Sequence, residues 1–161
     1  MRIACIVVPH FAVEIERLEQ PALRGRPVVV GGAPEERKEV QDCSLEAMAR
    51  SVRPGMALRE ALSRCAEAAF IEARPDRYRT ATLEIIDALM EISDAVEPAE
   101  PGVFYLEVGL AGSGASPDPL EVQLAGTLKM AVRRATGLTA RIGIADGKFA
   151  AYVAALMGNE S

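Results

Sequence analysis

Residues 2–8 read RIACIVV, unbroken apolar and largely β-branched after Arg2, and Pro9 closes the run. A run with no polar alternation describes a strand covered on both faces, and proline, which has no ladder N–H, ends it. From Phe11 to about Leu18 the spacing becomes helical, with Phe11, Ile15 and Leu18 on one stripe and Glu14, Glu16 and Arg17 mostly outside. A central strand that turns directly into a helix calls for layers of sheet and helix, and the remaining chain must supply the other strands and helices.

The segment PALRGRP is a turn-rich link into a second strand, PVVVGG, and residues 33–39 are a charged loop. Ser44 can cap a short helix, LEAMARSV, which RPG separates from a second, LREALSRC. A long helix is expected from about Asp76 to Ser93, with Leu83, Ile86 and Met90 aligned and Ile85, Leu89 and Ile92 widening the stripe. VEPAEPG and VFYLEVGL read as a hairpin, and GSGASPDP as a surface loop. Asp118, Pro119 and Glu121 then open a helix that carries Leu120, Leu124, Leu128 and Ala131 on one stripe and stops at Gly137. LTARIGIA is a last strand, followed by the amphipathic KFAAYVAALM. Outside the inserted short helices the order is βαββαβ, an α+β ferredoxin-like arrangement: an antiparallel sheet with helices on one face. Such a sheet leaves its other face free for a site.

Half of the 161 residues are hydrophobic, which describes a globular chain. No apolar run approaches bilayer length and the start lacks a signal-peptide cleavage pattern, so the expectation is a cytoplasmic protein without membrane contact. The formal net charge of −5 argues against strong nucleic-acid binding by bulk charge. Cys5, Cys43 and Cys65 form no CxxC pair and with the lone His10 cannot complete a zinc site, so they read as reduced, mostly buried thiols.

Few residues carry chemistry. His10 lacks a nearby nucleophile or second ligand and reads as a partly buried structural histidine. Two-metal phosphoryl transfer needs converging carboxylates, yet residues 1–13 contain none. Glu97, Glu100 and Glu107 flank the hairpin and read as solvated charge. Gly147-Lys148 stands between a strand and a helix, where amides and an ammonium could meet a phosphate, though a turn glycine and a solvated lysine explain it as well. Arg50, Arg53, Arg59 and Arg64 are interleaved with Glu46, Glu60 and Glu67, a mixed-charge surface.

Five segments in order, PALRGRPVVVGG, EAMARSVRPGMALREAL, ARPDRYR, AVEP with LEV downstream, and TGLTARIGIADGKFAA, resemble the Y-family translesion DNA polymerases of the UmuC and DinB type. The resemblance implies a palm at 1–25 and 71–146, a small helical fingers subdomain at 26–70 and the start of a thumb at 147–161, with the rest of the thumb and the little finger absent. It further implies that the family's Asp-x-Asp-x-Phe motif falls on Val7, Pro9 and Phe11, and the second metal-binding pair on Gly102 and Val103. The steric gate falls on Ala12, and the fingers Tyr and Arg that hold the triphosphate fall on Leu45 and Met48. Only Lys148 matches a phosphate-contacting position.

The resemblance is therefore closest to the catalytically inactive ImuB-like branch of bacterial damage-induced (SOS) mutagenesis. It implies an adaptor with no metal or other cofactor of its own. The implied partners are an error-prone replicative-type polymerase, a sliding clamp and accessory mutagenesis proteins, with DNA engaged through regions outside this chain. A working error-prone polymerase, taking its acids from Glu14, Glu100 or Glu107 and binding Mg²⁺, is one alternative. A damaged-DNA-binding module is another.

Overall fold

A computed structural model describes residues 1–109 and 118–158. The chain forms two compact units: Met1–Pro9 with Arg79–Ser161, and His10–Tyr78.

The first unit is built on a four-stranded antiparallel sheet of β1 (Arg2–Val7), β5 (Val96–Pro98), β6 (Val103–Glu107) and β7 (Arg141–Asp146), in the order β5-β6-β1-β7. The unbroken RIACIVV run becomes the central strand, paired with β6 on one side and β7 on the other. Helix α4 (Pro75–Met90) crosses from β1 to the hairpin and α5 (Pro119–Thr136) from the hairpin to β7. With these two crossovers the unit has the expected βαββαβ ferredoxin-like topology. Asp118 caps α5 by accepting from Leu120 N–H, Pro119 opens it, and Gly137 ends it at φ 82°, where glycine is favoured. The GSGASP part of the expected loop lies outside the described residues.

Pleating divides the sheet's side chains. Ala4, Ile6, Phe104 and Leu106 are buried on one face. Ile3, Cys5, Val7 and Val103 pack on the other with Ala151 and Ala155 of α6 (Lys148–Met157). The face expected to stay open is thus covered along β1 and β7 by α6. Gly143 allows this: a Cβ there would stand 2.2 Å from the Ala151 carbonyl oxygen and 2.2 Å from Ala155 N. Helix and sheet meet backbone to backbone.

Two helical stripes differ from the periodicity reading. In α4 the buried residues are Ala81, Ile85 and Leu89, while Leu83 and Met90 are exposed. In α5 they are Leu128 and Val132, while Leu120 is exposed. Both helices are apolar over more than one face, so spacing alone could not choose between the faces.

The second unit holds a three-stranded sheet, β3-β2-β4, of β2 (Val28–Val30), β3 (Asp42–Cys43) and β4 (Ala69–Ile71), with α1 (Phe11–Glu19), α2 (Leu45–Met48) and α3 (Leu58–Arg64). The VVV run is its buried centre, antiparallel to β3 and parallel to β4. Ser44 caps α2 through Ala47 N–H and also accepts from Val28 N–H. Val29, Val40, Ala47, Val52 and Leu58 form one core. Val13, Leu23, Val28 and Val30 form another. Among the described residues no helix is long and apolar enough to cross a membrane.

Candidate functional site

In the first unit the three positions that the resemblance sets against metal-binding carboxylates, Val7, Gly102 and Val103, stand together. Val7 and Val103 are direct cross-strand partners. Gly102 precedes Val103, and its carbonyl accepts the Val8 N–H at 2.7 Å. Val7 and Val103 are buried in the cluster with Ile3, Cys5, Ala151 and Ala155. Gly102 closes the hairpin at φ 81°, in the left-handed region that favours glycine over a side-chain-bearing residue. Burial pushes the neighbouring Cys5 thiol up to about 11, so it stays protonated at neutral pH.

A hard divalent cation requires oxygen donors at this junction. Two isopropyl groups supply none, and the Gly102 carbonyl is engaged by Val8 N–H. These residues do not fit the family's metal pair. The alternative acids have other settings. Glu107 lies opposite Ile3, four residues along β6 from Val103, on the order of 13 Å away at strand rise. Glu14 belongs to the other unit, in an ion pair with Arg17. Glu100 is exposed and accepts Val103 N–H through its backbone carbonyl.

Lys148 begins α6, and its ammonium is 2.6 Å from Glu97 Oε2 and 5.7 Å above the centre of the Tyr105 ring. The one side chain matched to phosphate contact is therefore held by an acid and a ring of its own unit.

In the second unit Ala12 packs against the Val13–Val30 core, and Met48 against the other core. Leu45 is exposed. None of the three offers a charge or hydroxyl. His10, as expected, has a structural position: it precedes α1 at φ 54°, and its Nδ1 lies 2.7 Å from the Cys43 carbonyl oxygen. Left-handed backbone is uncommon outside glycine, and histidine is among the residues that tolerate it.

Two acids here were missed by sequence reasoning. Asp42 accepts Val13 N–H at 3.1 Å, capping α1 from a distant strand because His10 makes no side-chain cap. Burial raises its pKa above the usual carboxylate range, against the hydrogen bond from Val13 and the field of His10. Glu16, read as solvent-facing, is 1% exposed. It takes Arg74 Nε at 3.0 Å and Nη2 at 2.9 Å as a fork, with Tyr78 O–H at 2.9 Å. The charge on Glu16 hid it from a hydropathy pattern, and only the ARPDRYR segment offered a partner.

The sequence profile of the impB/mucB/samB family matches residues 6–156, nearly the entire chain. The chain belongs to the impB/mucB/samB family. Among the relatives of this impB/mucB/samB chain, "DNA polymerase IV 2" of Mycobacterium tuberculosis (strain ATCC 25618 / H37Rv) is 39% identical over 148 residues, covering 90% of this chain and 41% of the relative. "DNA polymerase IV" of Halorhodospira halophila is 34% identical over 157 residues, covering 95% and 42%. The chain thus spans about two-fifths of the length of these curated relatives. The crystal structure of DinB from Sulfolobus solfataricus matches with a TM-score of 0.86 at 22% identity, over 99% of this chain and 46% of that one. At that identity the likeness is one of fold: the impB/mucB/samB chain has the Y-family polymerase palm architecture.

Proposed function

We propose that this chain is a noncatalytic member of the family that serves as an adaptor in DNA damage tolerance. One observation carries the reading. Where the family gathers metal-binding carboxylates, Val7 and Val103 pair directly and pack as hydrocarbon against Ala151 and Ala155. Phosphoryl transfer relies on charge to position and neutralise a triphosphate, and this junction has none to offer. Leu45, Met48 and Ala12 at the fingers and gate positions support the same reading, as does the pairing of Lys148 with Glu97.

In this reading residues 1–25 and 71–146 act as palm, 26–70 as fingers and 147–161 as the start of the thumb. The compact units themselves divide at Pro9 and Tyr78. The adaptor brings an error-prone replicative-type polymerase, a sliding clamp and accessory mutagenesis proteins to damaged DNA in an SOS-type response, with DNA held by regions outside this chain. Isothermal titration tests the central claim. Mg²⁺ or Mn²⁺ titrated with a deoxynucleoside triphosphate gives no saturable heat at millimolar concentration. Saturable binding that is lost on Glu100→Ala overturns the adaptor reading in favour of a working polymerase.

A further inference from the structure

An open groove with a volume of about 820 Å³ is lined by residues of α4 and α5 and of the turn after α4. Its lining includes small residues, Ala88 from α4 and Gly126, Thr127 and Ala131 from α5, and the 50% exposed Met130. Asp87 of α4 and Glu91 of the turn after it bring negative charge, and Arg134 brings positive charge from α5. Among the described residues none of these three has an ion-pair partner, although Arg2, Arg50, Arg64 and Lys148 all pair with glutamates of their own chain. Gly126 adds an independent sign. It sits inside an 18-residue helix, where glycine is disfavoured, yet a Cβ there would meet nothing within 4 Å. No packing inside the chain requires it.

An open glycine in a groove lined by alanines suits a backbone that must come close. Helices pack at about 8–10 Å between axes, with the smallest residues at the crossing. Charges of opposite sign on the two sides then call for opposite signs on the flanks of whatever enters. We propose that this groove docks an amphipathic helix of another protein. Its small and apolar stripe lies over Gly126 and Thr127, a basic flank meets Asp87 and Glu91, and an acidic flank meets Arg134. The proposal deepens the adaptor reading by naming a partner surface, and rests on that reading only for the partner's role. Metal-dependent nucleotide binding would defeat the adaptor reading and leave the groove untouched.

The test is selection on the intact chain with a phage-displayed library of helical peptides of about 20 residues, a length of about 30 Å. The expected result is enrichment of helices with one basic and one acidic flank. In fluorescence anisotropy their affinity falls about tenfold or more on Gly126→Arg, and again on the double change Asp87→Lys/Glu91→Lys. Circular dichroism checks the folding of both variants, and the double variant decides if Gly126→Arg unfolds. Three results overturn the proposal: no enrichment, binders indifferent to both variants, or a dimer by light scattering that Gly126→Arg makes monomeric, which would make the occupant a second copy.

Discussion

Val7 stands against Val103 and under Ala151, so a carboxylate placed there is desolvated with no donor set to hold it. Val7→Asp should cost about 3 kcal/mol or more at neutral pH, recovered in part as pH falls and the acid protonates. Urea denaturation at a series of pH values checks this, and a Mg²⁺-dependent recovery would contradict it. Asp42 gives a pH signature of the same origin in the natural chain. Its folded pKa is raised by burial, so the folded chain binds that proton more tightly than the unfolded chain. Its contribution to stability is then fullest below the ordinary carboxylate value and is lost as pH rises through the folded value. The stability of the natural chain relative to Asp42→Asn should therefore decline as pH rises through the carboxylate range. A flat or rising difference would count against the burial argument. Val7 and Pro9 were readable as departures, and Lys148 as a match, because the resembled family's motifs name their positions. Asp42 was not, because capping a helix from a strand 29 residues away leaves no local pattern.

At the level of elements, the close seat of α6 on the sheet depends on Gly143. Gly143→Ala should destabilise by about 3 kcal/mol, because the new methyl meets backbone and not a side chain that can turn aside. A thermal melt without a marked drop would show that α6 lifts freely. Glu16 links α1 to Arg74 and Tyr78 within one unit, and Glu16→Gln should cost about 2 kcal/mol by leaving Arg74 short of its fork, measured by chemical denaturation. Elements with their own punctuation were legible: Asp118-Pro119 and Gly137 bound α5, and Ser44 starts α2. Helix faces were not. Leu83, Met90 and Leu120 obey the same periodicity as the buried residues beside them, and only tertiary packing separates the two sets. The two-residue β3 and the short β4 carry too little sequence to announce a strand.

For the whole chain, the palm topology followed from the order of elements, whereas the second sheet was hidden because its pairing joins segments far apart, Val28–Val30 with Ala69–Ile71. A net charge of −5, with Arg2, Arg17, Arg50 and Arg74 each paired to a glutamate, leaves little to release counterions from a phosphate backbone. This chain alone should therefore not shift a lesion-bearing primer-template in a gel at about 0.15 M salt. A tight, salt-resistant shift would favour the DNA-binding alternative. The bond from Val8 N–H to the Gly102 carbonyl has a last consequence. At the junction where the family's motif gathers an ion, this chain ties one strand to its neighbour by its own backbone. Chelators and magnesium starvation should leave its melting temperature unmoved, so the domain keeps its shape, and any surface it presents, in a cell whose free magnesium has collapsed.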